Sequence, residues 1–559
     1  MKRNLIIIIM LCIVLSIPSL VGADHTKPDL TIILVIDQFA AHYLPKLSQH
    51  LTHGIKFLMN NSIFYKNAYY PHAVPSTGPG HANLSAGITS DYTGITANSW
   101  CNNLGKKIAC DDDDSTTAAV INPLGGVYNY GKGPANIMVD TISDQFILAS
   151  EPERPHRVYS IALKSRSAIC TANKMGKAIW LDTSNGHFTS SKAYFETLPN
   201  WLVNFNQKTN LQKASQVRWP LYYPEHSSAY HFAQINNYQW SSLPSIVGKV
   251  LPIHWHQNDP LEMFERTPAA NQLLLDCALE CIYHHSNKNS SQKLLLWVCL
   301  SPLDRVGHDY GPYSKEVIDM IYHLDHQIGR FIQRVAEHFP LEKTLFVLSA
   351  DHGVSPIPEL LNELGYPRAK RIHYKKIIQS INNSLAKKFG ITGLIHSCMS
   401  GQIFLNEQLF GTLDLEIQKN VLDHIKAALS SQPGIKRIWT KQELKSIWPA
   451  ADQIESFYKR QMFPGRTGRF IIQPYTYCIP DDYGTGTGHR TPYEADTHVP
   501  LMMYQKNQLE RQTVNQKVWT LQLANSLAFI LGIQKPSAST YNILPKINKA
   551  LRPQKKKIL

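Results

Sequence analysis

Beyond its first two dozen residues the 559-residue chain has no apolar run long enough to cross a bilayer, which takes about 20 residues. A body threaded through a membrane by helices is thereby excluded. The chain has no internal repeat and no low-complexity tract, so neither a stacked-repeat nor a disordered architecture is indicated. Acidic residues are the minority, 42 against 56 basic ones, for a net charge of +14. Such an excess favours anionic substrates and surfaces. It is dispersed, however, with only the stretch from Lys546 to Lys557 concentrated, and a nucleic-acid partner would call for a clustered patch. The run Asp111 to Asp114 lacks the glycine and glutamate of a calcium-binding helix-loop-helix and reads as a solvated loop.

What is present is ordinary globular composition, 43% hydrophobic and 18% charged, enough for one large core or two smaller ones. Residues 1–23 stand apart: Lys2 and Arg3, an apolar run from Leu5 to Leu15, then the small-residue end Val21, Gly22, Ala23. This is the pattern of a secretory signal peptide cleaved after Ala23, with an uncleaved anchor as the alternative. The expected location is periplasmic or secreted, with no stable membrane insertion after cleavage. Eight of the nine cysteines lie beyond this segment, in a compartment that permits disulfides. Cys101 and Cys110 bracket a short loop and are the expected pair. Cys277 and Cys281, one helical turn apart and followed by His284 and His285, read as helix packing, with a metal site as the alternative.

Continuous β-branched runs mark buried strands at residues 31–37, 157–163, 293–300, 344–350 and 498–504. Helical patterns lie between them, at Tyr43 to Asn60, Ala269 to His285 and Lys315 to Phe339. Strands alternating with helices predict an α/β fold with a largely parallel sheet covered on both faces. Ligands of such sheets sit beyond the carboxyl ends of the strands. By order alone, Asp37, Lys164, Arg166, Asp304, Asp351 and His352 fall at that one edge. The domain reading is a catalytic domain over 24–545 with a capping subdomain inserted at about 355–485, and a basic flexible tail over 546–559.

The stretch A-V-P-S-T-G-P-G-H-A-N-L-S-A-G, Ala73 to Gly87, is built to start a helix. Thr77 stands at its mouth, either as a plain cap or as a nucleophile beside an anion. The other candidates weigh on that choice. Asp37, Asp304, His308, Asp351, His352 and His489 are three carboxylates and three imidazoles, a donor set that suits zinc. Asp304 and His308, four apart in D-R-V-G-H, can reach one ion from one helical arc. Six such groups exceed one tetrahedral ion and suffice for two, the usual clamp for in-line phosphoryl displacement. A metal-activated threonine is then a competent nucleophile. Lys164 and Arg166, two apart and pointing the same way if the chain stays extended, are suited to phosphoryl oxygens, and Asn98 in G-I-T-A-N-S-W can add its amide.

With these residues in hand, the chain resembles the alkaline phosphatase superfamily, and within it the monomeric zinc-dependent phosphomonoesterases of the PafA type. The resemblance covers about residues 28–535 and rests on an ordered set: V-I-D-Q, S-T-G-P-G-H, G-I-T-A-N-S-W, L-K-S-R-S-A, D-R-V-G-H, S-A-D-H-G and G-H-R-T-P-Y-E-A-D-T-H-V-P-L. It implies an alkaline-phosphatase-like three-layer sandwich and two zinc ions (Zn2+). Asp37, Thr77, Asp351 and His352 would surround one ion, and Asp304, His308 and His489 the other. It further implies a covalent phosphothreonine on Thr77, small phosphorylated substrates held by Asn98, Lys164 and Arg166, and a monomer. Arg490 departs from the pattern, standing where glycine is expected after the metal histidine. His498 is the rival of His489 as ligand and is assigned to structure. Two alternatives stay open: a nucleotide phosphodiesterase or pyrophosphatase on the same fold, and an inactive zinc- or phosphate-binding periplasmic protein. A sulfatase is disfavoured because no cysteine stands at the nucleophile position.

Overall fold

A computed structural model describes residues 26–550, apart from 103, 212–213, 234–239, 254–260, 262, 286–291, 449, 451 and 481–483. The expected signal peptide, and residues 551–559 of the expected tail, lie outside the described residues.

The centre of the molecule is β1 (Leu30–Ile36), whose seven residues are all buried. Successive side chains of a strand point to opposite faces, and here both faces are covered. Ile32, Leu34 and Ile36 enter one core, while Ile33 and Val35 enter a second. This is why the strand reads as an unbroken apolar run. The other strands of its sheet are β2 (Ile63–Tyr69), β3 (Arg157–Ala162), β4 (Lys177–Asp182), β5 (His187–Thr189), β6 (Leu294–Leu300), β7 (Thr344–Ser349), β8 (His498–Tyr504), β9 (Gln512–Val514) and β10 (Val518–Trp519). Their spatial order is β9-β2-β8-β7-β1-β6-β3-β4-β5, with β10 also on β2. The run β7-β1-β6-β3-β4 is parallel, whereas β8 is antiparallel to β7 and β2.

Helices cover both faces. On the first lie α1 (Gly54–Asn61), α5 (Pro268–His285) and α7 (Lys315–His338). On the second lie α2 (Thr77–Ala86), α3 (Ile142–Leu148), α4 (Ser165–Ala172) and α8 (Gln522–Leu531). The remaining helix needed below, α6 (Pro302–Tyr310), follows β6 directly. The helical pattern expected from Tyr43 to Asn60 is broken into a short helix Tyr43–Leu47 and α1. The Asp325 carboxylate on α7 accepts from the backbone amides of Thr52, His53, Ile55 and Lys56, and so fixes where α1 begins.

Between β7 and β8 the chain builds a separate four-stranded antiparallel sheet from Ile395–Met399, Gln402–Leu405, Ile435–Thr440 and Phe470–Pro474. Helices Tyr374–Phe389 and Leu415–Ser430 back it, with a core of its own around Leu385, Val421, Ile425 and Ile472.

Two sequence expectations are corrected here. Cys101 and Cys110 are free thiols. In their hairpin Cys101 faces Lys107, while the Cys110 amide donates to the Asn98 carbonyl. The two are thus offset by three residues, about 10 Å along a strand, beyond disulfide reach. Asp111 is no solvated residue but is buried, bonded to Lys132 and Ser165. Cys277 and Cys281 pack within the first core.

Candidate active site

Four of the sequence-predicted residues fall at one edge of the parallel strands. Asp37 follows β1, Lys164 follows β3 by two residues, Asp304 lies in α6 after β6, and Asp351 follows β7 by two. The buried Lys164 ammonium donates to Asp37 at 2.7 Å and to Asp304 at 2.5 Å, tying three of these ends together. Gln38 joins the fourth: its amide donates to Asp351 Oδ1 (3.1 Å) and its side chain to Asp304 Oδ1 (2.9 Å). Gln38 holds a left-handed φ of 65° to do so, strain of the kind stored at functional sites. Gly307 gives it room, since a β-carbon there would lie 1.7 Å from Gln38 Oε1.

Thr77 is the first residue of α2, and the cap position falls to Ser76, which makes no side-chain cap bond. The expected capping position therefore moves back by one. Helix α2 passes so close to Asp351 that a β-carbon on Gly80 would sit 2.5 Å from the Asp351 carbonyl. This close approach sets the helix mouth against the carboxylates. Asn98 Oδ1 accepts from the Gly78 amide at 2.7 Å, which leaves the Asn98 Nδ2 as donor.

Two groups of donors stand within metal-binding distance among the described residues: Asp304, His308 and His489, and Asp37, His81 and Asp351, with ligand atoms inside 4.8 Å of one another in each. His308 Nδ1 bonds the Thr487 carbonyl (2.8 Å) and His489 Nδ1 the Pro75 carbonyl (2.7 Å). Each bond fixes the tautomer that leaves Nε2 free to ligate a metal. His352 does likewise on its own loop, bonding the Gly353 carbonyl through Nδ1. Its Nε2 lies 3.1 Å from Asp351, and its ring stacks on His489 at 3.6 Å between centroids. It therefore sits between the two groups. His81 is the residue that sequence reasoning missed. Four positions after Thr77, it lies on the same helical face, and its i, i+4 spacing in T-G-P-G-H was the available signal. His498 begins β8, bonds the Lys66 carbonyl and stacks on Tyr69.

Lys164 and Arg166 do not share an extended strand. Lys164 is the cap residue of α4 and Arg166 lies in its first turn, so the extended geometry expected for the pair is absent, and the buried Arg166 Nε has no hydrogen-bond partner.

The electrostatics call for cations. Burial and the neighbouring Asp351 push Asp37 up to about 8, against the pull of Lys164. Burial also opposes ionisation of Asp304 and Asp351, but Lys164 and His308 outweigh it at the former and His352 at the latter, so both are held below the usual range. Burial disfavours the His352 cation, yet Asp351, Asp304 and Asp37 raise it to about 9. Burial lowers His489, and brings His81 down to about 4. Asp37 Oδ1 and His81 Nε2 are buried without a hydrogen-bond partner, while Asp351 Oδ2 and His352 Nε2 face each other. Such orphans cost about 1–3 kcal/mol each, and coordination of a divalent ion satisfies them. Carboxylate oxygens with imidazole nitrogens fit zinc.

Residues 31–472 match the model of the type I phosphodiesterase / nucleotide pyrophosphatase family, and the chain belongs to that family, an alkaline-phosphatase-superfamily group of phosphoric ester hydrolases. More particularly, it is similar to alkaline phosphatase PafA of Elizabethkingia meningoseptica, 26% identical over 551 residues that cover 94% of this chain and 96% of that one. It is similar to the same degree, 26% over 555 residues, to a Myroides odoratus protein named calcium-transporting ATPase, with 95% and 97% covered. The crystal structure of wild-type PafA shares the fold, with a TM-score of 0.83 at 24% identity over 94% of this chain and 99% of that one. No helix among the described residues is long and apolar enough to cross a membrane.

Proposed function

We propose that the protein is a periplasmic or secreted phosphomonoesterase that works through a covalent phosphothreonine on Thr77, with two zinc ions held by Asp37, His81, Asp351 and His352 on one side and by Asp304, His308 and His489 on the other. The observation that carries this is the meeting of a helix-mouth threonine, two donor groups and a buried lysine at one sheet edge. Bound there, the ions would lower the threonine pKa and neutralise charge on the phosphoryl group and its leaving oxygen.

The chain's own residues supply the rest. Thr77 Oγ1 attacks phosphorus in line, forming a P–O bond as the bond to the leaving alkoxide or aryloxide breaks. Water then attacks the phosphothreonine, breaking that bond and releasing inorganic phosphate. Asn98 Nδ2, Lys164 and Arg166 hold the non-bridging oxygens in both steps, because charge concentrates there in the transition state. The three side chains favour a monoester: its dianion offers an extra charged oxygen, whereas a diester carries a second ester group at that place and needs an apolar pocket. The unit inserted at about 355–485 caps this edge, and the chain acts as a monomer.

The test compares an aryl phosphate with its methyl diester, measuring metal content on the same sample. Replacing both Lys164 and Arg166 by alanine lowers kcat/KM for the monoester by roughly 10²–10³-fold and spares the diester. An equal loss on both substrates supports the phosphodiesterase reading instead.

A further inference from the structure

Two side chains, those of Ser165 and Lys132, bond one buried carboxylate outside the phosphoryl clamp. Asp111 is 3% exposed. Its Oδ2 accepts from the Ser165 hydroxyl at 2.5 Å, and its Oδ1 from the Lys132 ammonium at 2.9 Å. Ser165 is the residue between Lys164 and Arg166, and the first residue of α4. One position before Asp111, the Cys110 amide donates to the Asn98 carbonyl at 3.0 Å. One position after it, Asp112 also pairs with Lys132, at 2.9 Å. The same short segment thus grips the backbone of Asn98 with one residue and the start of α4 with the next.

We infer that Asp111 is a positioning residue for substrate recognition: through Ser165 it sets where Lys164 and Arg166 stand relative to Asn98, and so tunes the site for the phosphoryl dianion. The inference rests on the function proposed above and deepens it. Asp111 itself touches no substrate. A bare carboxylate beside an anion-binding group would repel the substrate, and Lys132 cancels that charge while leaving the hydrogen bond to Ser165 intact. A side chain that orients two cations from behind acts on geometry, and misplacement by about 1 Å costs up to roughly 10²-fold in rate.

The full-length, metal-loaded protein provides the test, with an aryl phosphate monoester, its methyl diester and inorganic phosphate as probes. Asp111→Ala is expected to lower monoester kcat/KM by about ten- to a hundredfold and to weaken competitive inhibition by inorganic phosphate by a similar factor. Diester turnover changes by less than about twofold. Asp111→Asn, which keeps an acceptor for Ser165, recovers most of the loss. Ser165→Ala reproduces it, and the double variant is no worse than either single one, as for residues acting as a unit. Should Asp111→Ala fail to fold, Ser165→Ala carries the same comparison. Equal losses on both esters, or an unchanged phosphate inhibition constant, overturn the inference while leaving the phosphomonoesterase standing. A wild-type protein with no preference for the monoester instead removes the function itself, and this inference with it.

Discussion

In the group Asp37, His81 and Asp351 every side chain is sealed from solvent, whereas in the group Asp304, His308 and His489 the His308 side chain keeps 29% of its surface exposed. The sealed group holds the orphaned Asp37 Oδ1 and His81 Nε2 and the raised Asp37 pKa. The open group has both imidazoles oriented by backbone carbonyls. One site is electrostatically frustrated without a cation; the other is pre-shaped and accessible. Thr77, the proposed nucleophile, lies on the same helix as His81 of the frustrated group, so the proposed chemistry falls to the group least able to exist alone.

The comparison can be broken most decisively at Thr77. Thr77→Ala is expected to reduce turnover by at least about 10³-fold while metal content, measured by mass spectrometry on the same sample, stays unchanged; near-normal activity would remove the nucleophile from the sealed side. Next in size, Asp37→Asn should abolish retention of metal in the sealed group. His308→Gln should weaken the open group by about 10–100-fold and leave the other equivalent bound through dialysis. If both variants lose the same metal, the two groups are one site.

A smaller and graded effect follows from protonation. Asp37 and His352 both carry raised pKa values, to about 8 and about 9, so both must shed protons when a cation binds. Zinc affinity of the metal-free protein should therefore rise with pH, by roughly tenfold per unit for each proton released, and level off above about 9. Calorimetry in buffers of different ionisation enthalpy counts those protons. By the same sign, the metal-free fold is favoured in acid by these two groups and loses that contribution as pH rises from 3.8 to about 8 for Asp37 and from 6.5 to about 9 for His352. The smallest effect concerns Arg490, at a φ of 91° beside His489. Arg490→Gly should stabilise the fold by about 1 kcal/mol through relieved strain, read as a rise in Tm; an unchanged or lowered Tm would mean that the arginine repays the cost.

The buried strands and the carboxylates could be read in advance because a buried parallel strand advertises itself in composition and the candidate ligands follow it within a few residues, as Asp37 and Asp351 do. D-R-V-G-H was legible for the same reason, being local in sequence and helical in space. His81 was hidden inside a motif whose glycines and threonine already had a use. That Lys164 and Arg166 stand at the start of α4 and not on an extended strand depended on where that helix begins, a boundary that sequence patterns fix poorly. Cys101 and Cys110 were misjudged because proximity along a hairpin does not set register. Asp111 looked like one of four solvated aspartates, since nothing local to D-D-D-D announces that the partner of the first is 54 positions away.

The position of β1 also bears on how the protein comes into being. Its neighbours are residues 294–300 and 344–349, so the strand made first must wait for more than half the chain before it can pair. Contacts so distant in sequence make folding slow, and His489 arrives later still. A growing chain therefore carries this apolar strand unpaired until Leu294 and the residues beyond it have been made, dependent until then on protection from aggregation, and its candidate site cannot assemble before His489 emerges.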